Sequence, residues 1–398
     1  MRNGNKYKNK IFVLLAGVFA TLLSVNVVRQ PLMAMTTISV IDTEPLTDGE
    51  EVTELNPLCD TYNNMYTSSE SLFEETRSYV YNYCPSVIKE KNDYHIYYCA
   101  NSEDNVIEDY IYYTNSVVDG ENIYYSDGKI VLEPSENRWD SRHVCDPSVI
   151  EGNFMYKGTE YKYLMAYLGC SSSDNQNNKI GLAVSNEYDT GWEKVGLYPF
   201  INFSYDKKHS DSFQWGVGQA SLLQYGEYTL VFYTKGTWNL TSTILEVWDL
   251  SNLDCPVQIN KFTVSNKGTN DFISNADFAF IDNYLYMICD KHPFAGYQLN
   301  IVADASKIYR TPIQEGIQVL KNCVWEPVDE LAEDNTGSSK NHNACLVRNP
   351  SGKWVNEVLY TSAVEKRNFL DSLWTYRINI YRKQNGYSNK YVYSKTYS

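Results

Sequence analysis

The stretch Asp146-Pro147-Ser148-Val149-Ile150, which precedes the aromatic run from Tyr161 to Tyr167, decides the fold because the same pattern recurs along the chain. Each copy places a polar or special residue before a small one, then a short apolar run, a turn and an aromatic strand. The copies open at Cys84, Asp146, Gln219, Asp277 and Asn343, and their starts are 62, 73, 58 and 66 residues apart. A repeat at this spacing indicates a protein made of similar sheets, each of about four strands.

Such sheets close most easily around a common axis, because radial closure leaves only short, protected edges. The sequence contains no long window of helical periodicity, so it predicts an all-β fold, a five-bladed β-propeller. The residues that open the copies, with His342 beside Asn343, should then meet at one mouth of the central channel. Two stacked β-sandwiches are the alternative, and they give no reason for the opening residue to recur.

Composition indicates a large globular chain and excludes one class of partner. The 398 residues include 34 Lys and Arg against 49 Asp and Glu, a net charge of -15. The chain therefore lacks the basic surface that nucleic-acid binding needs. Hydrophobic residues make up 43% and aromatic residues 14%, with 35 tyrosines, which is enough to form a large core.

The first 34 residues have the pattern of a secretory signal. Four basic residues between Arg2 and Lys10 precede an apolar run from Ile11 to Val28, and the small Ala34 offers a cleavage point. A cleaved signal peptide and an uncleaved signal anchor both stay open, so we expect a secreted or cell-surface protein that contacts a membrane only in the second case. Residues 35–73 are predicted to be a polar leader that folding does not need, and residues 74–398 the propeller domain.

Nine cysteines are spread singly along the chain. An exported protein can form disulfides, but nine is an odd number and a chain of this size does not need them, so the pairing stays open. No Cys-x-x-Cys pair occurs, so a zinc site built on thiolates is not expected. The cysteines are interpreted as small buried hydrophobic residues.

Three stretches carry a resemblance to a known family. They are Asp146-Pro147-Ser148-Val149-Ile150, Lys179 to Ser185 with Trp192 to Gly196, and Asn341 to Val347 with Pro350 to Trp354. Over roughly residues 79–383 the chain resembles the five-bladed propeller glycosidases, and glycoside hydrolase family 43 is the most similar in texture. The resemblance implies inverting hydrolysis of arabinofuranosyl or xylosyl linkages. It also implies carboxylates at the openings of the first three blades and a blade-five histidine near an axial ion or water.

The family pattern is incomplete in this chain. Inversion needs one carboxyl group to protonate the leaving oxygen and another to activate water. The first copy, however, opens with Cys84 and the third with Gln219. If the blades are counted from another start, Asp146 is the base, Asp277 the candidate acid and Gln219 a hydrogen-bonding residue for the substrate.

Two further explanations stay open. The acid could come from a loop, as Asp211 or the Trp325-Glu326 pair, or it could be His342. Alternatively, the chain has lost catalysis and is a carbohydrate-binding propeller. An interaction scaffold unrelated to sugars is a third class of function, because propellers host many activities.

The sequence thus predicts a specific set of site residues. Asp146 and Asp277 are the predicted catalytic residues of a glycosidase. The predicted substrate-binding residues are Trp139, His143, Trp215, Gln219, His342 and Asn343. No cofactor is required on this interpretation, which leaves room for an axial calcium ion near His342. The predicted partner is a carbohydrate, bound by a monomer.

Overall fold

The computed structural model describes residues 65–67, 79–119, 122–269, 272–291, 302–364 and 369–383, with nearly all regular structure in strands. In chain order these are β1 (Met65–Thr67), β2 (Asn82–Glu90), β3 (Asp93–Asn101), β4 (Asp109–Asp119), β5 (Asn122–Tyr125), β6 (Lys129–Leu132), β7 (His143–Tyr156), β8 (Thr159–Cys170), β9 (Lys179–Ser185), β10 (Glu193–Lys194), β11 (Gly216–Tyr225), β12 (Tyr228–Gly236), β13 (Thr241–Asp249), β14 (Val257–Thr263), β15 (Asp277–Ile281), β16 (Tyr284–Lys291), β17 (Ala305–Pro312), β18 (Glu326–Leu331), β19 (Lys340–Arg348), β20 (Trp354–Ala363) and β21 (Arg377–Lys383). Two short helices, α1 (Glu333–Thr336) and α2 (Phe369–Leu373), lie in connections between strands.

The strands form antiparallel units that each begin with one copy of the repeat. Strands β7 to β10, β11 to β14 and β15 to β18 are three separate four-stranded sheets. The other strands share one nine-stranded sheet, and its halves (β2 to β6, and β19 to β21 with β1) meet in the ladder at the parallel pair Arg348 and Ile88. The described residues therefore form five units, numbered 1 to 5 from β2 onward. The predicted all-β propeller is confirmed.

Each unit buries both faces of its sheet against its two neighbours. On β12, Val231 and Tyr233 pack against unit 2, whereas Leu230 and Phe232 pack against unit 4. Equivalent apolar clusters lie between units 4 and 5, units 5 and 1, and units 1 and 2. Burial on both faces explains why the strands are continuous apolar and aromatic runs, without the alternation of a sheet that has one solvated face.

Side chains at the third position of the repeat join neighbouring units at the axis. In four units this side chain accepts a hydrogen bond from a backbone N–H of another unit. The acceptor and donor residues are Ser86 and Val149 (3.2 Å), Ser148 and Leu222 (2.9 Å), Ser221 and Phe278 (3.1 Å), and Asp277 and Leu346 (2.9 Å). In unit 5 the Cys345 sulfur accepts a hydrogen bond from the N–H of Val87 in unit 1, so every unit is joined to its neighbour by such a contact. These contacts satisfy buried amides on the innermost strands, which have no ladder partner toward the axis.

The fourth copy of the repeat has a different register from the one expected. Asp277 occupies the third position, equivalent to Ser221 of unit 3, so the first position belongs to Asn275. The alignment that placed Asp277 at the opening was therefore wrong by two residues. Oδ1 of Asp277 also accepts from the Ser221 hydroxyl at 2.6 Å and lies 3.7 Å from the guanidinium of Arg348, a residue only 2% exposed. Asp277 thus accepts a hydrogen bond from the Leu346 amide and neutralises the buried Arg348 cation at the axis.

The boundary between leader and propeller at residue 73 stays a prediction, and one described strand lies on the leader side of it. Strand β1 lies within residues 35–73, yet it pairs with β21 as the outermost strand of unit 5, from Met65 opposite Lys383 to Thr67 opposite Tyr381. The predicted signal segment, residues 1–34, lies outside the described residues. None of the helices in the described part of the chain is long and apolar enough to cross a membrane.

A shortened chain that begins at Phe73 tests the role of β1. Because it leaves the edge of β21 unpaired, we expect a lower Tm than for a chain that begins at Asn63, by about 2–4 °C for each kcal/mol lost. Thermal unfolding followed by circular dichroism measures the difference. Equal midpoints would support the expectation from sequence that residues up to 73 are dispensable.

The substitution Asp277→Asn tests whether this carboxylate stabilises the axis. It preserves side-chain size and leaves the buried Arg348 cation without its counter-charge, so we expect the free energy of unfolding to fall by about 3–5 kcal/mol. The matched variant Ser148→Ala removes one inter-unit hydrogen bond and no charge, with an expected loss of about 1–3 kcal/mol. Urea denaturation compares the two. A loss for Asp277→Asn no larger than that for Ser148→Ala would refute a stabilising ion pair.

Candidate functional site

The first residue of every repeat has a left-handed backbone conformation. The φ angles are 49° at Cys84, 47° at Asp146, 53° at Gln219, 46° at Asn275 and 46° at Asn343. None of these residues is glycine, so the conformation is strained at each position. In units 1, 2, 3 and 5 a register shift follows directly, as in a β-bulge, which redirects a side chain. All five residues line one small axial cavity of about 50 Å³, as expected for equivalent positions around one axis.

Hydrogen bonds connect these residues into a polar ring. The N–H of Gln219 donates to Oδ2 of Asp146 at 3.2 Å, and the N–H of Asn275 donates to Oε1 of Gln219 at 2.9 Å. Asp290, near the end of β16, accepts from the N–H of Asn343 at 3.0 Å and from Nδ2 of Asn275 at 2.5 Å. Two carboxylates, Asp146 and Asp290, therefore belong to one network.

The ring closes through sulfur atoms. Nδ2 of Asn343 donates to the sulfur of Cys84, and the Cys84 thiol in turn is hydrogen-bonded to Asp146. The N–H of Asp146 points to the sulfur of Cys99 at 3.0 Å. One pairing among the described cysteines is defined: Cys99 of β3 and Cys145 of β7 form a disulfide with Cα atoms 5.3 Å apart. This bond links units 1 and 2 beside the ring.

A cleft of about 590 Å³ lies against the ring. Asp146, Gln219, Asn275, Asp290 and Asn343 line it together with aromatic walls. The aromatic residues are Tyr81, Tyr83, Phe213, Trp215 and Tyr376. A concave site with apolar walls and a few convergent polar groups is the usual form of a small-molecule site.

Burial changes the protonation of both ring carboxylates. Burial raises the pKa of Asp146 to about 6, opposed by hydrogen bonds from Cys84 and the Gln219 amide. Burial likewise raises the pKa of Asp290 to about 7, although Asn275 and the Asn343 amide favour its charged form. Both carboxyl groups therefore exchange protons closer to neutral pH than an ordinary aspartate does. Two carboxyl groups with raised pKa values in one cleft can serve as acid and base.

A third carboxylate orients a histidine in the same cleft. Oδ1 of Asp109 accepts from the Tyr81 hydroxyl at 2.8 Å, and Oδ2 lies 2.8 Å from Nδ1 of His143. The contact holds the imidazole in place, since the partner of one ring nitrogen sets the role of the other. His143 is thus a buried, fixed side chain available to hydrogen-bond a ligand.

The structure brings most of the predicted site residues together. Asp146, His143, Trp215, Gln219, His342 and Asn343 all line the cleft. Trp139 is instead stacked on Tyr167, with 5.8 Å between ring centroids, and packs against Gly169. Asp277 lines the axial cavity but not the cleft, and both of its oxygens already accept hydrogen bonds. The geometry therefore offers these two residues no contact with a ligand in the cleft.

The loop residues considered as alternative acids also lie elsewhere. Asp211 is exposed and Glu326 is paired with Arg310 at 3.0 Å on the surface. Trp325 is a core residue whose Nε1 donates to the carbonyl of Ser265 at 2.7 Å. Neither acidic residue is part of the cleft lining.

Sequence reasoning missed Asp290, Asp109, Asn275 and Phe213. Asp290 holds the same place on the second strand as Cys99 of unit 1, because each accepts the N–H of the next unit's first residue. A polar residue near the end of the second strand of a copy is the signal that could have revealed it. Asp109 and Phe213 lie outside the repeated pattern and had no such signal.

No cluster of candidate metal ligands among the described residues includes His342, where a calcium ion is expected from the sequence. Calcium takes six to eight oxygen ligands, chiefly from carboxylates, carbonyls and water. Within the described residues, the one cluster of at least three metal-ligating His, Cys, Asp or Glu side chains contains Cys84, Cys99, Cys145 and Asp146, not His342. His342 packs edge-on against Tyr376, with ring centroids 4.6 Å apart. The calcium ion stays a prediction, and the proposed mechanism does not depend on it.

Comparison with known proteins gives a fold and no family. The sequence matches no protein-family model and no curated protein. Zg3597, a family 117 glycoside hydrolase of the marine bacterium Zobellia galactanivorans, superposes with a TM-score of 0.52 at 12% identity over 80% of this chain and 89% of its own. BT0996, solved as an RGII complex, gives a TM-score of 0.51 at 12% identity, over 84% of this chain and 95% of its own.

A third structure, described as a glycoside hydrolase, gives a TM-score of 0.50 at 12% identity, over 84% of this chain and 95% of its own. Identity this low shows the fold alone. The fold is a β-propeller that this chain shares with these three structures, and its channel mouth carries the aromatic-walled cleft beside the polar ring.

Proposed function

We propose that this chain is a glycoside hydrolase whose active site is the cleft at the channel mouth. The observation that carries the proposal is the pair Asp146 and Asp290, two ring carboxylates with raised pKa values that line one aromatic-walled cleft. The glycosidase-type propeller supports it, because structures of that fold include glycoside hydrolases. The resemblance to family 43 extends the proposal to arabinosyl or xylosyl oligosaccharides and to inversion.

Asp290 is the proposed general acid and Asp146 the proposed base. With a pKa of about 7, Asp290 keeps a proton near neutral pH and donates it to the leaving oxygen. Asp146, with a pKa of about 6, is mostly ionised at the same pH and takes the proton of the attacking water. His143, held by Asp109, and Gln219 are proposed to bind sugar hydroxyls. The sequence-based hypothesis that Asp277 is the acid is set aside, because Asp277 lines the axial cavity and not the cleft.

The proposal includes export to the cell surface or medium. It is supported by the basic and apolar pattern of residues 1–34, and an extracellular polysaccharide is a substrate that an exported enzyme would meet. We propose a monomer, with membrane contact only where that segment is retained.

A second candidate is a carbohydrate-binding propeller without turnover. Cys84 and Gln219 support it, because neutral side chains stand where the resembled family has carboxylates. Release of reducing sugar separates the two: isothermal calorimetry would detect binding in both cases, and only an enzyme would produce reducing ends.

The pH profile tests the roles of the two carboxylates. Protonation of Asp146 below about pH 6 removes the base, and ionisation of Asp290 above about pH 7 removes the acid, so kcat/KM should be bell-shaped with its maximum between these values. Asp290→Asn should lower kcat by about 10²–10⁴-fold on oligosaccharides and less on nitrophenyl glycosides, whose leaving groups need no proton. Asp146→Asn should lower kcat on both substrate types.

The exposed Asp211 provides the matched control. Asp211→Asn removes a carboxylate outside the cleft and should leave the pH profile unchanged. An Asp290→Asn enzyme that keeps the wild-type alkaline limb would exclude Asp290 as the acid. Circular dichroism of each variant separates a lost role from a lost fold.

The aromatic wall gives a test of substrate binding. Phe213 is 47% exposed and lines the cleft, so Phe213→Ala should raise KM by about 3–10-fold through loss of ring stacking, with little change in Tm. Trp238, 42% exposed and stacked on His209 outside the cleft, is the control, and Trp238→Ala should leave KM unchanged. Equal effects of the two substitutions would indicate that the cleft is not the binding site.

A further inference from the structure

The fold gathers three cysteines and one aspartate that are far apart in sequence. Cys84 comes from β2, Cys99 from β3, and Cys145 and Asp146 from β7. One potential ligand atom from each residue lies within 4.8 Å of all the others. Cys99 and Cys145 are joined as a disulfide, and Cys84 is a free thiol beside them. No role in the proposed hydrolysis accounts for three sulfur atoms at this place.

We propose that these four residues form a binding site for a thiophilic divalent cation, zinc by preference, when the Cys99 to Cys145 disulfide is reduced. Three thiolates and one carboxylate are a ligand set that zinc accepts in tetrahedral geometry. Bonds of about 2.3 Å to sulfur and about 2.1 Å to oxygen place the ligand atoms of such a site about 3.6–3.8 Å apart. The ligand atoms of the observed cluster lie within 4.8 Å of one another, which is close to this spacing.

The surroundings already contain the outer hydrogen bonds of a thiolate site. Nδ2 of Asn343 donates to the Cys84 sulfur, and the N–H of Asp146 lies 3.0 Å from the Cys99 sulfur. The N–H of Gln219 donates to the Asp146 carboxylate at 3.2 Å. Such donors orient ligands and offset negative charge on sulfur. Cys145 and Asp146 line the cleft, which provides access from solvent.

Reduction of the Cys99 to Cys145 disulfide and the binding of zinc need only a small-molecule reductant, and no cofactor of the protein. A phosphine with one water, or two small-molecule thiols, converts the disulfide to two Cys thiols, and the reductant leaves as phosphine oxide or as its own disulfide. Zinc then replaces the protons of Cys84, Cys99 and Cys145, which are released to solvent. A small-molecule disulfide reverses the step: it oxidises the Cys99 and Cys145 thiols to their disulfide, is itself reduced to two thiols, and so removes two ligands from the metal. The disulfide is therefore the metal-free state of a redox-controlled site.

Cobalt(II) provides the direct test, because its spectrum reports ligand type and geometry. The full-length protein reduced with tris(2-carboxyethyl)phosphine should bind one Co²⁺ with a thiolate-to-metal charge-transfer band and the intense visible bands of a tetrahedral site, and Zn²⁺ should displace it. The oxidised protein should show neither band. Cys84→Ser should weaken Co²⁺ binding by about tenfold or more, since it removes one of three sulfur ligands.

Cys345→Ser is the matched control. Cys345 is a buried free cysteine of the axial cavity outside the cluster, and serine is the residue found at its position in units 1 to 3. This variant should bind Co²⁺ as the wild type does. No charge-transfer band in the reduced wild type, or an unchanged band in Cys84→Ser, would overturn the proposal.

Thermal unfolding provides a second measurement in case reduction of the disulfide destabilises the folded protein. Zinc should raise the Tm of the reduced wild type and leave the oxidised protein and reduced Cys84→Ser unchanged, because binding to the folded state alone stabilises it. A reduced protein that zinc does not stabilise contradicts the site. These readouts need no turnover, so they are independent of the proposed hydrolase activity. If that activity is present, zinc should inhibit only the reduced enzyme, because it occupies the proposed base Asp146.

Discussion

The structure depends on one constraint: five innermost strands need hydrogen-bond partners toward the axis. Strand pairing between β2 and β19 supplies a single bridge there, between Arg348 and Ile88. A buried N–H without a partner is costly, so side chains of the neighbouring unit must supply the acceptor. At the third position, Ser86, Ser148, Ser221, Asp277 and Cys345 meet this need with three different chemical groups. What recurs in the sequence is therefore the position of a hydrogen-bond acceptor more than its residue type. For this reason the units can pack around one axis although few of their residues are identical.

The same constraint creates the chemistry of the cleft. At the first position the backbone is left-handed, and the amide of each residue must again find an acceptor on another segment. Asp146 and Asp290 are two of those acceptors, receiving the amides of Gln219 and Asn343. Because the structural role buries them, it also raises their pKa values into the range in which a carboxyl group exchanges protons near neutral pH. The proposed catalytic groups are thus structural groups of the ring that also line the cleft.

Sulfur occupies the part of the ring between units 5, 1 and 2. There Cys99 accepts the amide of Asp146, a role that Thr361 performs for Cys84 and Asp290 for Asn343. Because the acceptor is Cys99, its disulfide with Cys145 and the thiol of Cys84 both lie beside the carboxylate of Asp146, the proposed base. Reduction or oxidation of the Cys99 to Cys145 disulfide would therefore change the centre of the cleft and not a remote surface. Asp146 is accordingly both the proposed base and a proposed metal ligand.

The sequence by itself determined the all-β class, the repeat and its approximate period, and through them the meeting of Asp146, Gln219 and Asn343 at one place. It could do so because apolar and aromatic runs, turn residues and a recurring opening are local patterns. It did not determine the register of the fourth copy, since Asp277 and Asn275 are both polar and only the inter-unit hydrogen bonds distinguish their positions. Nor could it find Asp290, the disulfide or the pairing of β1 with β21. Each of these depends on contacts between distant segments, and only the closure of the tertiary structure brings their atoms within bonding distance.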